Sequence, residues 1–281
     1  MKRLLEVSAV AVCVLVCFGG LQAAPGLENE AAVVRSGRAF VPLRAVFEWL
    51  GADVHYANGT ITAVRGGDVV TLTVGSTQAG KNGHAITLDA APFVTGGKSF
   101  VPLRFVAEAL GAAVNYSAAQ GNVTVSHAGA QVTLPVFAYR PGWLPYRGAW
   151  FKIDHPASFT VVNRERSASG QGYEAASFVS PDGLVEFYVF SPQWRGESQW
   201  VKPRAGEREI ARSVENNGDR TATYVTYAGP GGAYERAYVE MRDAMSNTNW
   251  FFGIQYKSKS AYDRYRSLYL QFKASLVQYA D

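Results

Sequence analysis

Cysteine is nearly absent from this 281-residue chain. Its two cysteines, Cys13 and Cys17, both lie close to the start. The remaining sequence therefore excludes a disulfide framework, a thiolate nucleophile and a cysteine-ligated zinc site. Stability has to come from buried apolar area, and the length of the chain is sufficient for two domains.

Apolar runs long enough to cross a membrane are also missing. The chain begins with the basic segment Met1-Lys2-Arg3, an apolar stretch from Leu4 to Phe18, and Leu21-Gln22-Ala23, which is typical of a signal-peptidase site. The apolar stretch is shorter than the roughly 20 residues that a membrane-spanning helix needs. We predict a secretory signal peptide over residues 1–23, a secreted or cell-envelope location, and no stable membrane span after cleavage.

Excess charge is small. The chain has 27 basic and 23 acidic residues and a formal net charge of +4. This balance does not favour a nucleic acid as partner. It is compatible with a weak attraction to an anionic wall or membrane surface.

Histidine is scarce, with four in the chain, and none is paired at metal-ligand spacing. We therefore predict no metal site and no cofactor. The sequence also lacks Gly-x-Ser-x-Gly, phosphate-binding glycine patterns and His-Glu-x-x-His.

A secreted hydrolase acting on wall material would have to use residues of the second half, and three candidates remain. His155 is the available imidazole base, although its place before a proline at a strand end favours a surface or turn histidine. Glu207 and Glu209 are two residues apart and could share one strand face as a carboxylate pair. The alternating charges around them favour a solvated sheet edge instead.

An internal repeat is the strongest signal in the sequence. The stretch Gly37 to Tyr56 returns sixty residues later as Gly97 to Tyr116, with thirteen identities in twenty positions. We predict a first copy over about residues 31–75 and a second over about residues 91–136. The repeat signature consists of residue types with structural roles: Pro42, Arg44, Glu48 and Gly51, matched by Pro102, Arg104, Glu108 and Gly111.

Each copy predicts a short helix followed by strands. Leu43, Val46, Phe47 and Leu50 lie at the spacing of one helical face, and Gly51 follows where a helix commonly ends. Apolar runs separated by Asn-Gly and Gly-Gly turns then indicate hairpins. We expect two small antiparallel β units, each wrapping a short helix.

Arg44 and Arg104 each precede a glutamate by four positions, which predicts an ion pair on each helix. One interpretation makes them two equivalent sites that bind carboxylates of a polysaccharide or peptide. The other gives each arginine a structural role, holding its helix to carbonyl groups of a neighbouring strand. We favour the structural role.

The repeated Gly-Arg-x-Phe-Val-Pro-Leu-Arg, followed by a helix ending Ala-Leu-Gly-Ala, resembles the copper amine oxidase N-terminal-like domain, a stalk module of secreted bacterial proteins. The resemblance covers about residues 31–136, and we assign residues 24–136 to this module. In amine oxidases the copper and the quinone cofactor lie in a separate domain. The resemblance therefore implies a non-catalytic stalk without amine oxidase activity.

Composition changes at Tyr139-Arg140-Pro141-Gly142, which predicts a linker over residues 137–149 and a second domain over residues 150–281. Strand-like runs alternate with turns there and indicate an antiparallel sheet. A terminal helix should begin near Ser260 and Asp263, a predicted capping pair. Its apolar face is formed by five large side chains at helical spacing: Tyr262, Tyr265, Tyr269, Phe272 and Leu276.

This layout, with segments such as Phe151-Lys152-Ile153-Asp154-His155-Pro156, is similar to the PsbP and Mog1-like α/β/α sandwich. Members of that fold mostly act as binding or assembly factors, so the resemblance implies an accessory role. The predicted fold class is α+β, with two stalk units and an antiparallel sheet domain closed by a C-terminal packing helix.

The favoured hypothesis is a secreted, non-catalytic envelope protein in which the stalk presents a C-terminal recognition domain. The candidate contact residues lie beside turns, and they are Trp143, Trp194, Arg195 and Trp200. Packing in the core is the alternative for each of them. Partners would be cell-wall glycan, a peptide or another envelope protein, and self-association through sheet edges is a further prediction. The alternative is the wall hydrolase described above.

Overall fold

The computed structural model describes residues 27, 30–117, 120–148, 151–166, 173–192, 198–244 and 248–278. The predicted signal peptide lies outside these residues. Strands in four sheets make up most of the described part, together with three α-helices and two short 3-10 turns. The molecule is therefore mainly a β protein, built largely from antiparallel pairs.

The two sequence copies and the hairpin between them form the N-terminal module. Its elements are β1 (Ala32–Arg35), β2 (Arg38–Pro42), α1 (Leu43–Trp49), β3 (Asp53–Ala57), β4 (Thr60–Arg65), β5 (Asp68–Thr73), β6 (Gln78–Lys81), β7 (His84–Thr87), β8 (Phe93–Thr95), β9 (Lys98–Pro102), α2 (Leu103–Ala109), β10 (Ala113–Ser117), β11 (Asn122–His127) and β12 (Ala130–Ala138).

The rest of the described chain forms the C-terminal domain. Its elements are β13 (Trp143–Arg147), β14 (Phe151–Pro156), β15 (Thr160–Arg166), β16 (Tyr173–Val179), β17 (Val185–Pro192), β18 (Arg208–Asn217), β19 (Arg220–Ala228), β20 (Glu235–Asp243), β21 (Thr248–Tyr256), α3 (Lys259–Ala274) and β22 (Val277–Gln278).

The two copies share strands. Strands β2 and β9, which occupy the same place in each copy, pair antiparallel, and Val41 lies opposite its own counterpart Val101. The pairing relates the copies by a local two-fold axis at this point. It is part of one seven-stranded sheet that contains strands of both copies, in the order β10-β11-β12-β1-β2-β9-β8. The expectation of two separate β units is therefore wrong in this respect.

A parallel strand pair joins the beginning of the module to its end. Strand β1 pairs with the end of β12, so that Ala32 lies opposite Val136 and Val34 opposite Ala138. In the first copy β5 instead continues into the β6–β7 hairpin, and β3 to β7 form a sheet of their own. Residues 137 and 138 thus belong to a strand, and residues 143–147 to another. The segment predicted as a linker is structured over most of its length.

The helices of the module end as their sequence predicts. Gly51 and Gly111 have φ angles of 78° and 70°, which L side chains rarely adopt. Leu43, Val46 and Phe47 of α1 are buried. They pack with strand residues of both copies in a single apolar cluster that includes Val41 and Val101. Neither seven-residue helix is long enough to be stable without this packing.

A seven-stranded antiparallel sheet forms the centre of the C-terminal domain, in the order β15-β16-β17-β21-β20-β19-β18. Helix α3 covers one face and buries Tyr269 and Phe272 against it, as the helical spacing predicts. The predicted capping pair is wrong, because Ser258 caps the helix by accepting a hydrogen bond from the Ala261 N–H at 3.1 Å. Asp263 pairs with Lys259 instead.

The opposite face of this sheet is covered by an irregular segment that contains Trp200. The indole stacks on Tyr188, with ring centroids 4.6 Å apart, inside a cluster of buried aromatic residues. Gly253 on β21 leaves room for the ring, because a Cβ there would overlap it. In the described residues this layer is a 3-10 turn with flanking loop rather than a second helix, which departs from the α/β/α prediction.

A small apolar cluster joins the two halves of the molecule. Phe40, Phe93 and Phe100 of the module pack with Leu144 and Ala157 of the C-terminal domain. The contact is close at Gly96, where a Cβ would overlap the Ala157 carbonyl oxygen. The face of the shared sheet that points away from the module core is therefore covered by the second domain.

Candidate functional site

Two of the three predicted contact tryptophans, Trp143 and Trp200, are buried. Trp143 and Trp200 retain only 7% and 5% of their accessible area, because each packs in an aromatic cluster of the C-terminal domain. For these two residues the core-packing alternative holds, and they are not exposed contacts. Trp194 and Arg195 lie outside the described residues, and their predicted role stays a prediction.

His155 is a core residue rather than a surface or turn residue. It is 5% exposed and its ring lies 4.8 Å from that of Phe178. Its Nδ1 is 3.0 Å from the Pro156 carbonyl oxygen. The side chain therefore packs in the domain interior.

The two predicted carboxylates have separate surroundings. Glu209 pairs with Arg212 at 2.7 Å on the outer strand β18. Glu207 precedes that strand and is fully buried with Arg236, whose Nε donates to the carboxylate at 2.9 Å. The two do not share a strand face as a hydrolytic pair requires.

Arg236 and Glu207 fasten the segment that covers the sheet. Arg236 also donates to the carbonyl oxygens of Trp200 and Lys202, so one side chain holds this segment at several points. Burial by itself would raise the pKa of Glu207. Hydrogen bonds from Arg236 and from the Arg204 N–H outweigh it and lower the pKa to about 2.

Neither a metal cluster nor a membrane span is found in the described ranges. No group of three or more histidine, cysteine, aspartate or glutamate side chains is placed to bind a metal ion. The helices in this part of the chain are too short or too polar to span a membrane.

Two concave surfaces lie on the N-terminal module. The first, called here the α1 groove, has a volume of about 680 Å³. Its walls come from both copies, since α1 and β3 of the first copy face the β8–β9 hairpin of the second. The residues that define it are Arg44, Glu48, Trp49, Val54, Tyr56 and Val94.

A second, related surface is called here the α2 groove and has a volume of about 610 Å³. It lies between α2 and β10 of the second copy and the β1–β2 hairpin of the first. The residues that define it are Val34, Arg38, Leu103, Arg104, Val114 and Tyr116. Most of these are sixty residues from a residue of the α1 groove, so the local two-fold axis relates the two surfaces.

Each groove contains a basic side chain on the side opposite its helix. This side chain forms an ion pair with an acidic residue. In the α1 groove Lys98 pairs with Glu30 at 2.7 Å. In the α2 groove Arg38 pairs with Asp89 at 3.2 Å. The basic residues are equivalent in the repeat, while the acidic residues come from unrelated positions.

The repeat arginines line the grooves and are exposed. Arg44 retains 68% of its side-chain area and lies 3.6 Å from Glu48. The predicted role of Arg44 in holding the helix to strand carbonyls is therefore wrong. Arg104 and Glu108 are exposed too, but among the described residues no ion pair joins them. The predicted ion pair forms in the first copy alone.

Sequence reasoning missed the grooves because their walls come from segments that meet through the β2–β9 pairing. The only local signal was the identity of Arg44 with Arg104 and of Tyr56 with Tyr116. Both tyrosines are about half exposed, at 53% and 52%. Residues kept in both copies without burial point to something other than packing.

Comparison with known proteins gives low overall similarity to solved structures. The cyanobacterial PsbP, CyanoP, from Synechocystis sp. PCC 6803 matches with 11% identity and a TM-score of 0.35, over 50% of this chain and 95% of its own. The immunity protein TplEi of Pseudomonas aeruginosa, solved with a peptide, matches with 9% identity and a TM-score of 0.25, over 79% of this chain and 76% of its own. No curated protein matches the sequence. Residues 25–125 match the family model of the copper amine oxidase N-terminal domain, which confirms the resemblance found in the repeated motif.

Proposed function

We propose that this protein is a secreted, non-catalytic component of the cell envelope, in which a duplicated stalk module holds a C-terminal recognition domain in a fixed orientation. The observation that supports it most directly is the buried junction. Phe40, Phe93 and Phe100 pack on Leu144 and Ala157, so an apolar contact rather than a free linker joins the two halves.

Two further contacts strengthen the junction. The Tyr139 N–H donates to the Val34 carbonyl oxygen at 2.9 Å, which extends the module sheet towards the second domain. Arg140 then donates to Gln271 on α3 and stacks 4.2 Å from the Trp143 ring. The match to a copper amine oxidase N-terminal domain supports the stalk assignment.

The fixed orientation is tested by a distance measurement between the two halves. After removal of residues 1–23 the sequence has no cysteine, so Thr87→Cys and Arg266→Cys give two unique exposed labelling sites. We expect double electron–electron resonance to give one narrow distance distribution. A broad distribution would contradict a rigid stalk.

Export and attachment are tested in cells. We expect mass spectrometry of the cell-envelope fraction to find a mature N-terminus at Ala24, and the intact protein to co-sediment with envelope material. Recovery of the uncleaved chain in the cytoplasm would overturn the proposed location.

A further inference from the structure

We propose that the α1 groove is a peptide-binding site, which takes an extended segment with apolar side chains and at least one carboxylate, the carboxylate pairing with Arg44. This gives the N-terminal module a recognition function of its own, in addition to presenting the second domain.

The apolar part of the site includes two side chains that the fold leaves exposed. Tyr56 and Val94 line the groove from different copies, and they retain 53% and 45% of their accessible area. Trp49 and Val54 extend the same surface and are half-buried. A concave surface that combines exposed apolar side chains with a small set of charged groups is typical of a ligand site.

The strands that flank the groove favour a peptide over a glycan. Among the strands that the structure describes, β3 pairs with β4 alone and β8 pairs with β9 alone, so each is the edge of its sheet. An edge strand presents unpaired N–H and C=O groups, to which an extended peptide adds by main-chain hydrogen bonds. A glycan has no regular row of amide groups to match them.

Charge indicates the carboxylate. Lys98 forms an ion pair with Glu30 at 2.7 Å. Arg44 lies 3.6 Å from Glu48, and the side chains of Arg44 and Glu48 are each more than half exposed. An exposed pair at this distance contributes little stability, so a ligand carboxylate displaces Glu48 at low cost. The guanidinium then offers two parallel N–H donors to the ligand.

The α2 groove provides a comparison within the molecule. The position of Trp49 is occupied there by Ala109, and β1, the counterpart of β8, is covered by β12. The α2 groove therefore keeps the arginine and the tyrosine but has neither the indole nor the second open edge. We assign the peptide site to the α1 groove for this reason.

The test uses the full mature chain and a fluorescein-labelled random copolymer of glutamate and tyrosine, with binding followed by fluorescence anisotropy. We expect the wild type to bind and Arg44→Glu to raise the Kd by about tenfold or more, since it replaces an attraction by a repulsion. Tyr56→Ala should also weaken binding, and Arg104→Glu should have a smaller effect than Arg44→Glu.

Arg242→Glu is the matched control. Arg242 is 66% exposed, pairs with Glu240 at 2.9 Å and lies in the C-terminal domain, so its replacement should leave the Kd unchanged. Thermal unfolding followed by circular dichroism establishes that each variant is folded.

Three results would overturn the assignment. They are no binding of the copolymer by the wild type, equal Kd values for wild type and Arg44→Glu, and tighter binding of polygalacturonate that Arg44→Glu abolishes. The last would make the groove a site for acidic glycan. None of them bears on the rigid junction, which the distance measurement tests separately.

Discussion

Arg236 and Glu207 form a fully buried ion pair whose partners also bind backbone groups. Such a pair need not stabilise the fold relative to apolar residues, but removing one member leaves the other charge buried and unpaired. The pair therefore holds the segment that contains Trp200 against the sheet. Its removal should free that segment from the sheet.

The first prediction concerns pH. The pKa of Glu207 is lowered from 4.5 to about 2 in the folded protein. Its contribution is therefore complete above pH 4.5 and is lost as the pH falls towards 2. A difference of this size corresponds to about 3 kcal/mol of unfolding free energy.

Denaturant unfolding between pH 6 and pH 2.5 measures this loss. Glu207→Gln should lower stability at pH 6 by about 3–5 kcal/mol and flatten the acid limb of the profile. Glu209→Gln is the control, because Glu209 pairs with Arg212 on the exposed strand β18 and should have a smaller effect. Equal pH profiles of unfolding free energy for the two variants would contradict the proposed role of the buried ion pair.

The second prediction concerns Gly253. Alanine normally suits a strand interior better than glycine, but a Cβ here would overlap the Trp200 ring. Gly253→Ala should therefore displace the indole from Tyr188 and lower stability by about 1–3 kcal/mol. Near-ultraviolet circular dichroism and denaturant unfolding report both effects. Gly67→Ala, where a Cβ meets nothing within 4 Å, should leave the aromatic signal unchanged.

At the scale of elements, the start of α3 gives the third prediction. Ser258 accepts the Ala261 N–H at 3.1 Å, whereas Ser260 is exposed within the first helical turn. Ser258→Ala should cost about 1 kcal/mol of unfolding free energy. Ser260→Ala should cost nothing, because alanine is the better helix former. A larger loss of thermal stability in Ser260→Ala than in Ser258→Ala would contradict this and support the cap predicted from the sequence.

Local patterns predicted most elements correctly. The apolar spacing identified α1, α2 and the buried face of α3, and Gly51 and Gly111 marked helix ends, because these features depend on neighbours a few residues away. Pairing between distant segments was missed. The parallel β1–β12 pair and the antiparallel β2–β9 pair join residues that are about sixty to one hundred positions apart. No rule based on sequence spacing predicts such contacts.

The same limit explains the candidate site. Trp200 lies beside turn residues and was expected to be exposed, but its segment folds back on a sheet whose strands come from elsewhere in the chain. The groove around Arg44 and Tyr56 likewise needs the β8–β9 hairpin of the other copy. Composition and spacing could indicate which residues are unusual. They could not indicate which segments meet.

At the scale of the whole molecule, the fourth prediction addresses the junction. Gly96 has a φ of 57°, and a Cβ there would overlap the Ala157 carbonyl oxygen. Gly96→Ala should separate the two halves while leaving each folded, which broadens the distance distribution between the labels at positions 87 and 266. Gly97→Ala is matched for backbone strain, with a φ of 71° and nothing within 4 Å, and should keep the narrow distribution.

The parallel pairing of β1 with β12 joins the first strand of the N-terminal module to its last. One edge of β1 pairs with β2 of its own copy, but the other edge pairs with residues 136–138 of β12, about one hundred positions further along the chain. In the export proposed above, β1 therefore emerges before the strand that covers its second edge. That edge stays open to proteases until the second copy has emerged and the shared sheet is complete.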